Sequence, residues 1–552
     1  MQTIDYIVFL VYFVVVAGYG VWIYNRKKSA VASSNDFFLA EGTLTWWAIG
    51  TSLIASNISA EQFIGMAGSG FSIGLGISSY EWIAAATLMI VAVFFMPIYL
   101  KNKIFTMPQF LKQRYNNNVA TTMAIFWLIL YVVVNLTSIL YLGALAINTV
   151  SGIDFNACMW LLAIFAIIIT LGGMKVIAYT DVIQVFFLVL GGLATTYLAL
   201  TLVADQAGSQ GAMAGMKEML SSADDHFHMI LPKGNPNYSS LPGLTILLGG
   251  MWIVNLNYWG CNQYITQRAL GADLQTAREG LLFAAFLKIL MPIIVVVPGI
   301  AAYVLYQKGM FQAEMLGADG TVNGDHAYPV LLKLLPSGLK GLSFAALTAA
   351  IVASLAGKAN SISTIFTLDI YKKYIEKDAS EAKLVNVGKI AIIVSMILAI
   401  FISPLLGIDK KGGFQYIQEY TGYISPGIFA VFLLGFFWKR ANSNGAMAAI
   451  LGSVIFSVVL KYLPEYTQSF DTLFYTTTIQ DGQHMIPFLD RMGLVFLICV
   501  IMMVVLGLID PKTKNNPQGL EVDSSMFIPT KLFALGGSIV LIVLVILYTI
   551  FY

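Results

Sequence analysis

The chain has 552 residues, of which 58% are hydrophobic and only 11% charged, with a mean hydropathy of +0.78. A soluble globular chain carries about a quarter charged residues, so this composition excludes a water-solvated fold and points to a lipid bilayer as the solvent for most of the surface. The net charge of +2 argues neither for nor against nucleic acid; no nucleic-acid partner is expected.

A helix needs about 20 apolar residues to cross the hydrocarbon core. The first such segment, 4–24, is followed rather than preceded by Arg26, Lys27 and Lys28. A cleavable leader carries its basic residues first, so this segment reads as an anchor with its N-terminus outside. Further segments follow at 46–69, 76–100, 119–147, 157–173, 177–203, 244–265, 279–306, 340–367, 387–407, 413–437, 443–463, 491–510 and 531–551, about fourteen in all. Alternate connections hold Lys101, Lys103, Lys112, Arg114, Lys175, Arg268, Arg278, Lys372, Lys373, Lys377, Lys383, Lys389, Lys439, Arg440, Lys512, Lys514 and Lys531. The other connections hold roughly half as many, and basic loops face the cytoplasm. Both termini are therefore expected on the periplasmic side of a bacterial inner membrane. The long outer loops near 204–243, 307–339 and 464–490 hold all four histidines, His226, His228, His326 and His484. Asp224, Asp225, His226 and His228 could hold a metal, but a solvated loop is the simpler reading. Cys158, Cys261 and Cys499 lie in apolar stretches with no metal or disulfide spacing, and read as buried small hydrophobes.

Polar groups inside a span are costly unless they face a partner or a cavity. The second span carries Ser56, Asn57, Ser59, Glu61 and Gln62, then Gly65, Gly68 and Gly70. Unwound backbone is tolerated only where it lines a cavity or is buried in protein. Five spans later the same pattern returns with Asn255, Asn257, Tyr258, Trp259, Gly260, Cys261, Asn262 and Gln263. Two interrupted helices at matching positions of two five-helix halves predict an all-α, inverted five-plus-five repeat transporter with its site near the midplane. The single transmembrane domain, 1–552, then divides into an extra helix (4–24), a first repeat (46–203), a second (244–437) and three C-terminal helices (443–551). Glu81, Asp181, Lys288, Gln415, Gln418 and Glu419 also fall inside spans. Amides, a carboxylate and an ammonium suit hydroxyls, which both donate and accept, and Tyr80, Tyr258, Trp259 and Phe414 offer ring faces. This inventory reads as a site for a neutral polar solute.

The stretches 35–40 with Trp46 and Trp47, 52–70 and 180–184 resemble the solute:sodium symporter family. The stretches 57–70, 80–82, 255–267, 364–371 and 414–427 are most similar to its sodium/glucose cotransporter branch, and the likeness runs over nearly the whole chain. The resemblance implies sodium-coupled import of a hexose, galactose or glucose. It implies sugar contacts at Asn57, Gln62, Glu81, Asn255, Lys288 and Gln418, an inner gate of Tyr258 and Trp259, and an outer gate of Met66, Tyr80 and Phe414. Sodium ligands are implied at the carbonyls of Ala55, Ile58 and Ala350 and the hydroxyl of Ser354, with Asp181 on the ion's exit path. Two serines of the branch's pattern are matched by Ala84, beside the sugar, and Ala353, beside the sodium.

Lys358 falls outside that pattern. It shares a helix face with Ala350 and Ser354, and side chains on a helix lean toward its N-terminus. Its ammonium could pair with Asp181 as a cytoplasmic gate, which is the reading we expect. It could instead snorkel to water, or partly substitute for the cation. Rival functions are symport of another neutral polyol such as inositol, and a membrane sugar sensor that does not transport. No P-loop, nucleophile elbow or metal motif supports an enzyme.

Overall fold

The computed structural model describes residues 1–26, 45–104, 106–171, 174–317, 320–405, 412–467, 478–480, 483–511, 513 and 519–552. The stretch 35–40 and Lys27, Lys28, Lys512 and Lys514 lie outside the described residues.

The apolar segments fold as helices. In chain order they are α1 (Thr3–Arg26), α2 (Trp46–Asn57), α3 (Glu61–Met66 in π-helical geometry running into Ala67–Ser72), α4 (Leu75–Lys101), α5 (Asn117–Ser151), α6 (Phe155–Thr170), α7 (Met174–Gln206), α8 (Gly250–Gly260) and α9 (Gln263–Leu270). There follow α10 (Leu274–Gln307), α11 (Leu339–Ile375), α12 (Glu381–Leu405), α13 (Gly413–Thr421), α14 (Ser425–Phe437), α15 (Ser443–Thr467), α16 (Phe488–Ile509) and α17 (Lys531–Ile550). Each predicted span falls on one of these helices or on an interrupted pair. Among the described residues, nine helices are long and apolar enough to cross a membrane, and α13 with α14, bent by 49°, makes up to ten. The all-α expectation has one small exception, a hairpin of β1 (Thr478–Gln480) and β2 (Gln483–Met485) with Ile479 opposite His484.

Both expected interruptions are present, and each is capped by polar side chains from the sequence that breaks it. After α2, the Ser59 hydroxyl accepts from Glu61 N at 3.1 Å, while Gln62 Oε1 accepts from Ser59 N at 3.2 Å. This Ser-x-x-Gln arrangement is a variant of the capping box, with the hydroxyl on the second amide rather than the third. After α8, Asn262 Oδ1 accepts from Tyr264 N at 3.3 Å and also from the Tyr131 hydroxyl.

Small residues let the helices approach. A Cβ on Gly280 of α10 would stand 2.8 Å from Ile49 of α2, and one on Gly50 would stand 2.8 Å from Gly280 O. Such close backbone approach is how helices associate in lipid, where apolar burial adds little. It places the mid-helix side chain of Lys288 against the end of α2. Gly65 does the same on the other side, since a Cβ there would lie 2.8 Å from Phe414 N.

One face of the bundle gathers both termini and the long loops. Asp5 Oδ1 accepts from Gly338 N at 2.8 Å and Gly341 N at 3.2 Å, docking α1 on the start of α11. Met229 N donates to Phe551 O at 2.7 Å, and Asn237 Nδ2 to Ser72 O at 2.9 Å. Of the loop cluster, Asp224, Asp225 and His228 are exposed as expected, and His226 is not. His226 is buried, stacks on Tyr303 at 3.8 Å, and bonds Phe71 O through Nε2 at 3.1 Å. A cavity of about 650 Å³ lies on this face, lined in part by Gly68, Asn237, Asp325, Gln415, Glu419 and Arg491. All three cysteines are buried.

Candidate solute and sodium site

The polar residues of α2, α4, α8 and α10 meet in the bundle centre. Lys288 Nζ donates to Glu81 Oε2 at 2.5 Å and to Asn57 Oδ1, and lies 5.2 Å from the centre of the Trp259 ring. Asn57 Nδ2 donates to the Tyr258 hydroxyl at 3.2 Å. A buried ammonium in lipid needs such partners, because an unmatched charge loses far more solvation than packing returns. Asn255 is buried and donates to Met251 O at 3.0 Å. Gln62 is buried with its carbonyl committed to the capping box. Gln418 is half-buried on α13.

Aromatic groups bound this cluster on both sides. Tyr80 and Phe414 meet edge to face at 4.9 Å, with Met66 fully buried. The buried Tyr80 hydroxyl has no hydrogen-bond partner among the described residues. Toward the other face, Tyr258 stands at 80° to Trp259 with centroids 5.2 Å apart, and its hydroxyl donates to Tyr264 Oη at 3.3 Å.

The sodium ligands implied by resemblance lie at the first break. Ser59 N would complete the helix to Ala55 O, but it is turned to Gln62 instead. Gln62 N bonds Ser59 O at 3.2 Å, which releases Ile58 O in the same way. Two carbonyls are thus freed of helical partners, as a hard cation requires of its oxygen ligands. Across from Ala55 O on α11, Ser354 Oγ lies 3.5 Å from it and 3.1 Å from Ser56 O. Ala350 is buried one turn earlier on the same helix. The donor set fits a small monovalent cation, with Ser56 O an addition the sequence did not suggest.

The expected pairing of Asp181 with Lys358 is not what the structure holds. Asp181 Oδ2 accepts from the Ser52 hydroxyl at 2.8 Å and lies 3.9 Å from Arg268 Nη2. Arg268 Nε in turn donates to Ser52 Oγ at 2.9 Å. Lys358 Nζ instead meets Glu61 Oε1 at 3.1 Å. Its side chain leans toward the N-terminus of α11, which carries it to the start of α3. Arg268, counted above among the loop charges, is almost wholly buried at 1% exposure. It lies 5.5 Å from the Tyr264 ring centre and Lys358 lies 5.2 Å from it. Arg278 and Arg114 are also buried, each donating to carbonyls that helices leave free.

Two interrupted helices, a freed carbonyl facing a serine, and a charge-balanced polar cluster between aromatic pairs define a cation-coupled transporter of the broken-helix class. Known proteins agree. A family model for the sodium:solute symporter family matches residues 37–452. The chain is 46% identical to a sodium/glucose cotransporter of Vibrio parahaemolyticus, over 100% of this chain and 99% of that one. It is 34% identical to the mouse sodium/myo-inositol cotransporter 2, over 83% of this chain and 70% of that one. Among solved structures it shares the fold of a Na⁺-coupled sialic acid symporter in a substrate-bound outward-open state, with a TM-score of 0.75, 23% identity, and 92% and 98% of the two chains covered. The chain belongs to the sodium:solute symporter family, and it is a multi-pass membrane protein.

Proposed function

We propose that this protein imports a hexose together with sodium by alternating access across a bacterial inner membrane, with both termini periplasmic. The observation that carries the reading is the sharing of α2 and the break after it. Its last turn offers Ala55 O and, just past it, Ile58 O to the cation, while Asn57 between them turns to Lys288. A sodium ion bridging these carbonyls to Ala350 and Ser354 would fix the end of α2, and so the position of Asn57. Sodium and solute then favour the same state, and the linkage is reciprocal.

In this reading Asn57, Gln62, Glu81, Asn255, Lys288 and Gln418 bond the solute's hydroxyls. Met66, Tyr80 and Phe414 close the outer side, and Tyr258 and Trp259 the inner side. The lipid bilayer is its solvent, and 46–203 and 244–437 are the two halves that move. Asp181 with Arg268 is the barrier on the ion's path to the cytoplasm. The buried pairs Lys288–Glu81, Lys358–Glu61 and Arg268–Asp181 cancel, which suits a neutral cargo.

One charge falling through a potential of about 100 mV yields about 2.3 kcal/mol. With a roughly tenfold sodium gradient, each ion supports solute accumulation of about several hundredfold. Likeness to a sodium/myo-inositol cotransporter and the alanine at position 84 favour one second reading, an inositol-like polyol as cargo. Purified protein in liposomes, given labelled galactose, glucose and myo-inositol under an inward sodium gradient, tests both. Hexose uptake that collapses when potassium replaces sodium is expected. Solute binding without any uptake would favour a sensor over a carrier.

A further inference from the structure

We propose that Lys358 is a tethered cation that takes the place of a second coupling ion, with Glu61 as the carboxylate it satisfies. The inference rests on the sodium-symport reading and concerns its stoichiometry.

Glu61 opens α3 immediately after the break, and Lys358 lies one turn beyond Ser354 on α11. Their 3.1 Å contact therefore joins the same two elements that a sodium ion at Ala55, Ile58, Ala350 and Ser354 would join. Both side chains are buried, at 3% and 8% exposure. Burying an ion pair is no gain over well-packed apolar side chains of the same volume, so stability does not explain this pair.

Charge balance points to its role. Of the other cations of the centre, Lys288 is held by Glu81, and Arg268 donates through Nε to Ser52 with Nη2 3.9 Å from Asp181. Without Lys358, Glu61 would be a buried carboxylate with no cation within 4.0 Å among the described residues. Such a group attracts a cation from solution, and sodium is the cation this site already admits. A tethered ammonium fills that demand, yet it never dissociates and carries no ion across. The ring of Tyr264 lies beside it, and that residue's hydroxyl meets Tyr258, which bonds Asn57. The fixed charge thus sits next to the chain of contacts that links ion to solute.

The test is uptake against sodium concentration in proteoliposomes. The unaltered protein and Lys358→Arg are expected to follow a simple hyperbola, with a Hill coefficient of about 1. Lys358→Met is expected to move toward about 2, as Glu61 recruits a second sodium, and Lys358→Met with Glu61→Gln to return to about 1. If Lys358→Met folds but does not transport, equilibrium binding of radioactive sodium to the purified protein decides: two ions per chain supports the proposal and one overturns it. If it does not fold, Glu61→Gln alone decides. An unpaired ammonium beside the sodium site should raise the half-saturating sodium about fivefold or more, and an unchanged value overturns the proposal. A sodium-dependent wild type whose Lys358→Met variant keeps the same Hill coefficient overturns this inference alone. A wild type indifferent to sodium overturns the symport reading and this inference with it.

Discussion

Lys288 and Glu81 are 2.5 Å apart and almost wholly buried, so neither can be removed without stranding the other. Breaking a buried pair costs about 3–5 kcal/mol. Lys288→Met and Glu81→Gln are each expected to lower thermal stability and abolish solute uptake. The double variant should recover stability without uptake, because the proposed solute contacts are gone; recovery of uptake would show the pair to be structural. At the proposed cation site, Ser354→Ala removes one oxygen, and its half-saturating sodium concentration in uptake assays should rise about tenfold, equivalent to about 1.4 kcal/mol. Sequence reasoning identified most of these residues by type, since amides and charges stand out in an apolar span. It misplaced Lys358, because helix spacing gives the face of a side chain but not which of two carboxylates waits across the gap. It missed Arg268 for a related reason: an arginine near a span's end reads as a loop charge until its burial against Asp181 is seen.

At the scale of elements, both helix breaks are legible in the sequence. The polar, glycine-rich runs at 55–70 and 255–263 announced interrupted helices. The Ser59-x-x-Gln62 spacing was also a capping signature in plain view, and it explains why the chain restarts as a helix at Glu61. Ser59→Ala should cost about 1 kcal/mol, read as a lower melting temperature. It should also weaken sodium dependence, since Ser59 holds the geometry that frees Ala55 O and Ile58 O. The approach of α2 to α10 was not readable from one sequence, because glycines at 50 and 280 declare small size but not each other. Gly280→Val would overpack that contact at a cost of about 1–3 kcal/mol, measurable as a lower melting temperature and displacement of Lys288 from Asn57.

Across the whole molecule, the connection between α10 and α11 is tied to α3 and α13. Asp325, in the connection between α10 and α11, accepts from Gly413 N at 2.8 Å, and a Cβ on Gly68 would press against its carboxylate. Burial pushes its carboxyl up to about 7, only partly opposed by the Gly413 amide. The folded protein therefore holds a proton that the unfolded chain, near 3.8, releases. Stability from this group is complete below the unfolded value and is lost as pH rises through about 7. Asp325→Asn should flatten the fall in melting temperature between these limits; a parallel curve in the variant would remove Asp325 as its source. The count of basic loop residues is smaller than the sequence suggests, since Arg114, Arg268 and Arg278 are buried bonding groups rather than loop charges.

The account rests on one shared element, the end of α2, serving cation and solute at once. Linkage then demands that sodium tighten solute binding by the same factor as solute tightens sodium binding. Equilibrium binding of radiolabelled hexose at varied sodium, and of radioactive sodium at varied hexose, to the same purified protein measures both factors. The account predicts two equal factors, each well above one and both lost in Lys288→Met. Hexose and sodium that bind independently of each other would contradict it.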